Sequence, residues 1–456
     1  MARKTPNDRL RALQFEAGWS AESLARAVNT LGAAQGLALR YDRSSVAHWL
    51  AGAQPRPRVG MLVAEALARR LGRPLTPADI GIARDPGSPR GDAALMAHEA
   101  LISSVADLAA AAADPVRHPY HTTDVYPLLQ VRNFIATLPD LVAQGRGGPS
   151  TPLPASAADE PDNRLSTQQL SHCEAVSFFQ RQAETHGGGA VRGSLAAYVR
   201  AACTKAVPTR EGNSALAALT AALAWTHSDD SAPGMAWTLY EHALHLALRS
   251  ADQCGVIYAL EAMGAQALDL GHPAEAVALS KAAGLAATGH GPVLRAGIQI
   301  QLAAALASEG RAQEAARVLA LAEPRPRYAQ KKDDTAPAPL WSPTASPRTA
   351  WHQRIAQIFT TRREAAKAVG HLRLALRHRA SHDQRGAALT HVLLCRALLA
   401  TGRTESACQH GLQACDIAAR LRSSAVRDAL AALTRHLAPH HRSPDARNLG
   451  SRLALT

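Results

Sequence analysis

The sequence predicts an all-α protein: an N-terminal bundle of five short helices followed by an α-α superhelical repeat domain. Three observations carry this. Of 456 residues, 47% are hydrophobic but only 4% aromatic, and alanine and leucine dominate, a composition that favours helix. Apolar residues recur at helical spacing, and alternating runs of β-branched residues are scarce. A glycine-centred pattern also returns along the second half of the chain. The length exceeds what one core serves, so three segments are expected: a bundle over 1–84, a helical connector and linker over 85–165, and a repeat body over 166–456 with a disordered insertion at 324–347.

In the first segment, Leu10, Leu13 and Ala17 share one face of a helix that Gly18 ends. Ser20 is a natural N-cap for a second helix whose inner face carries Leu24, Val28 and Leu31. The stretch from Gly32 to Tyr41 has no strong periodicity. Asp42 caps a third helix with Val46, Trp49 and Leu50 as its buried stripe, and Gly52 stops it. Arg43, Ser44, Ala47 and His48 fall on the opposite face. A fourth helix turns Leu62, Val63, Ala66 and Leu67 inward, and Thr76-Pro77-Ala78-Asp79 starts a fifth.

The third helix has the make-up of a major-groove reader. Small residues near its N-terminus permit close approach. Arg43 suits a bidentate bond to guanine, and Ser44 and His48 suit base edges. Ser20 leaves backbone amides open to a phosphate at the start of helix two, and Gln54, Arg56 and Arg58 suit the DNA backbone. Charge agrees: net charge is +13, and residues 1–84 hold 13 Lys+Arg against 6 Asp+Glu, a balance suited to a polyanion. Residues 348–385 hold 9 against 2 and residues 420–456 hold 7 against 2. The C-terminal patch reads equally well as a solvated helix face, and the 348–385 stretch is a further candidate for contact with DNA.

Trp19-Ser20 before Leu24-Ala25, then Ser45-Val46, Trp49-Leu50, Gly52 and Pro55-Arg56-Pro57, resemble the Xre/phage-repressor helix-turn-helix over residues 7–82. The resemblance implies that helix three reads bases, through Arg43, Ser44 and His48. The departure is the turn, because Gly32–Tyr41 is longer than that family's connection.

In the connector, helices are expected at Leu95–Ala113 and Val125–Ala143, with linkers at Arg84–Gly91 and Gly145–Asp162. His118 and His121 lack further ligands at metal-site spacing. In the body, Gly271-His272-Pro273-Ala274-Glu275-Ala276 returns as Gly310-Arg311-Ala312-Gln313-Glu314-Ala315 and as Gly402-Arg403-Thr404-Glu405-Ser406-Ala407. Weaker echoes start at Ser231 and Thr360, giving intervals of 40, 39, 50 and 42 residues. Each unit reads as helix, turn, helix, with a turn glycine that permits positive φ. The pattern resembles tetratricopeptide repeats, with a longer period.

The order of parts, together with Leu170-Ser171-His172-Cys173-Glu174-Ala175-Val176, Phe178-Phe179 and His186-Gly187-Gly188-Gly189, resembles actinobacterial transcriptional regulators with an Xre-type reader and a tetratricopeptide body. Double-stranded DNA is the implied partner, with a peptide, protein or small-molecule effector in the repeat groove and a homodimer as the binding form. The alternative is a protein-interaction scaffold with an N-terminal docking bundle.

No catalytic residue, cofactor or metal site is expected. Gly187-Gly188-Gly189 lacks the lysine of a phosphate loop and reads as a helix breaker, and the pairs His378/His382 and His436/His440 lack a nearby acidic base. The six cysteines form no Cys-x-x-Cys and read as reduced core thiols. No signal peptide or apolar span is apparent, so a cytoplasmic, nucleoid-associated location without membrane contact is expected.

Overall fold

The structure is a computed structural model. It describes residues 6–34, 39–55, 57–71, 75, 80–82, 98–113, 126–147, 167–205, 209–322 and 347–455. Among these residues there are twenty α-helices and no strand. The backbone gathers into two compact units, Met1–Ala94 with Pro119–Asp140, and Leu95–His118 with Leu141–Thr456.

The first unit is built on α1 (Asp8–Glu16), α2 (Ala21–Ala34), α3 (Arg43–Leu50) and α4 (Pro57–Leu71). Its core holds the apolar stripes expected from periodicity: Leu10, Leu13, Leu24, Val28, Val46, Trp49, Leu62, Val63 and Leu67, joined by Leu75, Ile80 and Ile82. Leu31 and Leu50 lie partly buried against them. Gly18 and Gly52 sit at positive φ, as helix stops require. The start of the expected fifth helix, Thr76–Asp79, lies outside the described residues. One residue ties three parts of this core together. The Asn7 carboxamide accepts from the Leu10 amide at 3.0 Å and donates to the Ile80 carbonyl at 2.9 Å, while its backbone amide donates to the Leu50 carbonyl at 2.9 Å.

Two helices follow, α5 (His98–Ala113) and α6 (Leu128–Gly147). α5, expected in a connector, belongs to the second unit and packs on helices of the body. Its Ser104 hydroxyl lies 2.7 Å from His242 Nε2. His242 Nδ1 donates to the Thr238 carbonyl at 2.7 Å, so Nε2 accepts from Ser104. α6 continues through Gly145–Gly147, which the composition assigned to a linker. The remainder of that linker, the 84–91 linker and the His118/His121 segment lie outside the described residues.

The body begins with α7 (Thr167–His186) and α8 (Gly188–Thr204). Five hairpins follow: α9 (Arg210–Asp229) with α10 (Pro233–Arg249), α11 (Gln253–Asp269) with α12 (Pro273–Ala286), α13 (Pro292–Ser308) with α14 (Ala312–Ala322), α15 (Pro347–Thr361) with α16 (Ala365–His378), and α17 (Gln384–Ala400) with α18 (Thr404–Ala418). Two helices close the chain, α19 (Ser424–Leu437) and α20 (Pro444–Leu453). The 324–347 insertion lies almost wholly outside the described residues.

All five hairpins turn in the same way. The residue before the second helix's N-cap has positive φ: Ser231 at 57°, Gly271 at 81°, Gly310 at 88°, Arg363 at 60° and Gly402 at 75°. The next amide then donates back to the carbonyl five residues earlier, at 2.9, 2.8, 2.9, 2.8 and 3.0 Å respectively, the closing bond of a Schellman turn. The structure therefore corrects one register: Arg363, not Thr360, stands where three of the other units place glycine and one places serine. The final interval becomes 39 residues rather than 42, and the insertion widens the preceding one to 53.

The ends of the body meet. α7 packs on α17, and α19 packs on α9 and α17. The Gly187–Gly189 run is the joint. The Arg422 amide donates to the His186 carbonyl at 2.8 Å, and the Gly189 amide donates to the Arg422 carbonyl at 3.0 Å. A Cβ on Gly187, at φ 88°, would lie 2.4 Å from the Arg422 carbonyl oxygen. The glycines thus break the helix, as expected, and also allow one backbone to touch another. Asp229 anchors the same joint. Its fully buried carboxylate accepts from the Gly188 amide and the Ser423 hydroxyl, each at 2.7 Å, and pairs with Arg385. Asp230 beside it accepts from Ser424 at 2.9 Å and pairs with Arg192.

Five of the six cysteines are buried; Cys254 is exposed, contrary to its expected place in the core, and all six are free thiols. No helix among the described residues is long and apolar enough to cross a membrane.

Candidate functional site

The outer face of α3 is organised by its N-cap. Asp42 accepts from the Ser45 amide at 2.9 Å, the Ser44 hydroxyl at 2.7 Å and the Ser45 hydroxyl at 2.8 Å. These bonds, the Ser45 amide first, hold the Asp42 carboxyl down to about 2, so it stays ionised at working pH. The reciprocal bond from the Asp42 amide to Ser45 completes a capping box. Arg43, Ser44, Ala47 and His48 are all exposed, while Val46 and Trp49 are buried beneath them. Ser44 has committed its proton to Asp42, so it meets any base edge as an acceptor.

α2 and α3 are fixed to each other by a clasp that sequence reasoning missed. The Asn29 carboxamide donates to the Tyr41 carbonyl at 2.7 Å and accepts from the Tyr41 amide at 2.9 Å. Tyr41 then stands edge-on to Trp49, with ring centroids 5.1 Å apart. A backbone pair satisfied by one carboxamide sets where α3 begins, whatever the length of the segment before it. A lone asparagine in a helix interior gives no sequence signal for this.

Ser20 is exposed and caps α2 by accepting from the Ser23 amide at 3.1 Å. Gln54 is exposed just past the end of α3. Arg56 and the Arg58 side chain lie outside the described residues. The structure thus brings Arg43, Ser44 and His48 to one helix face.

The basic 348–385 stretch fares differently. The Arg379 side chain is buried, pairs with Asp383, and donates to Gln353 and Thr390 at 2.9 Å each. Arg385 pairs with Asp229 and lies over the Trp225 ring, 4.7 Å from its centroid. Arg354 donates to Gln301 at 3.2 Å, and Glu364 holds both Arg362 and Lys367. Arg348, Arg363, Arg373 and Arg377 are exposed. Arg354, Arg379 and Arg385 are therefore tied into the fold, while Arg362 and Lys367 make exposed pairs with Glu364.

The body also gathers a polar cluster. Tyr258, Glu261 and Asp269 follow one stripe of α11. Glu261 is half-buried, and burial raises its carboxyl to about 7 against the opposing pull of Arg354. Asp269 is exposed, yet the protein around it also pushes its carboxyl up, against Arg354 and Arg385. Burial, with Glu261 and Glu184 nearby, pushes the Tyr258 phenol up to about 12. Glu184 also lies 3.1 Å from His382, so that histidine does have an acidic neighbour, 198 residues away in the chain. Perturbed carboxyls beside fixed guanidiniums mark a ligand-site candidate. Its members come from α7, α11, α15 and α17, so no local motif announced it. Among the described residues no three metal-ligating side chains cluster.

Residues 10–83 match a known family, the SP15 N-terminal domain. The matched stretch runs from α1 past Ile82, the whole of the described bundle except its first residues. The family's description names a domain and not an activity. No curated protein matches the chain.

Proposed function

We propose that the protein is a sequence-specific DNA-binding transcription regulator, with α2 and α3 acting as a helix-turn-helix and the hairpins as a superhelical, tetratricopeptide-like sensing body. The observation that carries this reading is the face of α3: Arg43, Ser44, Ala47 and His48 all exposed, over a buried Val46 and Trp49 and behind a capping box. A short helix with small and cationic groups outward and a rigid seat beneath is what major-groove reading needs. The basic N-terminal segment supplies the non-specific attraction. In this reading the protein binds a two-fold site as a homodimer in the cytoplasm, on the nucleoid.

The polar cluster around Glu261, Asp269, Arg354 and Arg385 is the effector site in this reading. It suits a ligand carrying both a hydrogen-bond donor or cation and an acceptor, such as a zwitterion or a peptide end. Such a ligand regulates only if it binds the DNA-competent and incompetent arrangements with different affinity.

The test is retention of a random duplex pool by the full chain, followed by sequencing. The expected result is an enriched two-fold motif with half-sites about one helical turn apart. An unenriched pool overturns the reading and leaves the interaction scaffold as the better account of the body.

A further inference from the structure

Four histidines of the body repeat as two matched pairs. His352 on α15 meets His371 on α16, and His391 on α17 meets His410 on α18. Members of each pair are 19 residues apart, and the second pair follows the first by 39, the interval between the turn residues Arg363 and Gly402. In both pairs the two Nδ1 atoms face each other at 3.0 Å, with ring centroids 5.3 and 5.1 Å apart. All four rings are half-buried, so each pair is reached by solvent and held by its helices.

We propose that each pair is a binding site for a divalent late transition ion (copper(II), nickel(II) or zinc(II)), clamping the two helices of one hairpin. Imidazole is the ligand these ions favour among nitrogen and oxygen donors. With metal–nitrogen bonds of about 2.0–2.1 Å, nitrogens 3.0 Å apart subtend roughly 90–97° at the ion. That is close to the cis angle of a square or octahedral site, and opening the pair by a few tenths of an ångström reaches the tetrahedral angle. Burial disfavours protonation of all four rings, with His391 lowered to about 4, so both partners are neutral at pH 7. Without metal, one Nδ1–H donates to the other Nδ1. When an ion binds, that proton moves to the same ring's Nε2, and no net proton need be lost. Solvent completes the coordination, because no third histidine, cysteine or carboxylate joins either pair among the described residues; at the second pair the Gln413 Oε1, 3.1 Å from His410 Nδ1, is a further oxygen at hand. The guanidiniums of Arg348, Arg373 and Arg379 act on these rings, and their charge keeps affinity moderate. The expectation of no metal site rests on histidines three or four residues apart, whereas here the interval is 19, met twice.

The test uses the full chain without a histidine tag, titrated calorimetrically with nickel(II), with magnesium as control. His371→Gln should remove one bound ion per chain. His371→Gln/His410→Gln should remove two, together with a metal-induced rise of several degrees in the thermal unfolding midpoint. His378→Gln, whose ring stacks on His352 with centroids 5.9 Å apart, should leave both sites intact. If the double variant does not fold, His352→Gln/His391→Gln carries the same expectation from the other helices. Unchanged stoichiometry and an unchanged midpoint rise in a folded double variant overturn the proposal and leave each pair as a hydrogen bond.

Discussion

Two stretches of this chain carry the same net charge and hold it differently. Residues 1–84 hold 13 Lys+Arg against 6 Asp+Glu, and residues 348–385 hold 9 against 2. In the first, Arg43 stands exposed on α3 and the main fixed anion nearby, Asp42, is taken up by serines and an amide. In the second, Arg354, Arg362, Lys367, Arg379 and Arg385 are held by partners within the fold. Both stretches mix the two uses, since Arg69 pairs with Glu65 in the first and Arg373 and Arg377 stay exposed in the second, but among the described residues only the second buries a cation against a carboxylate from a distant part of the chain. Only the location of each counter-charge separates the two, and for Arg385 that is Asp229, 156 residues earlier.

The sharpest way to break the comparison is to remove such a counter-charge. Asp229→Ala removes the carboxylate paired with Arg385, which keeps the Trp225 ring and the charge of Asp269 beside it, and strips the Gly188 amide and Ser423 hydroxyl of their acceptor. The expected loss is about 3–5 kcal/mol of stability, read from denaturant unfolding. A loss below about 1 kcal/mol, the worth of an exposed pair, would mean that the joint between the ends of the body contributes little.

Next in size is Glu261. Its carboxyl is raised from 4.5 to about 7 in the folded chain, so the fold binds that proton more tightly than the unfolded chain does. The resulting stability is present below about pH 4.5 and is lost as pH rises through 7. Glu261→Gln should therefore raise stability by about 1–3 kcal/mol at pH 8 and change it little at pH 5. An equal effect at both values would show that Gln packs differently and that ionisation is not the cause.

Arg43 tests the open side of the comparison. Arg43→Ala should leave the unfolding midpoint unaltered and weaken binding to the selected duplex by about 1–3 kcal/mol, with one base preference relaxed. Arg373→Ala/Arg377→Ala, on the exposed remainder of the other stretch, should leave the salt dependence of DNA binding as it was. A slope shallower by about 0.9 for each phosphate no longer neutralised would show that both stretches meet DNA.

What the sequence made legible follows from which interactions are local. Helical periodicity named Leu24, Val28, Val46, Trp49, Leu62 and Leu67 as inward-facing, and they are buried in the core cluster. N-caps were legible too, because Ser20 and Asp42 act on amides three residues ahead. The Asn29 clasp, the Gly187–Arg422 approach and the Glu261 cluster were not, since each depends on partners that the fold brings together from distant positions or onto an unmarked residue. The α3 face sits between these cases: its exposure was readable, and its use by DNA rests on the duplex experiment.

The fourth hairpin gives the finest test, because its turn was misplaced by three residues for want of a glycine. Arg363 adopts φ 60° where three other hairpins place glycine and one places serine. A left-handed backbone costs a side-chain-bearing residue about 1–2 kcal/mol, and glycine gives back about 0.5–1 kcal/mol of that advantage through the freedom it regains on unfolding. Arg363→Gly should therefore stabilise the chain by no more than about 1 kcal/mol, whereas Gly402→Arg, the reverse change in the next hairpin, should destabilise it by a similar amount. The two variants share a turn geometry but differ in starting residue, so opposite signs are required. If both destabilise, the Arg363 side chain stabilises the fold by more than its backbone strain costs, and the hairpins are not interchangeable at their turns.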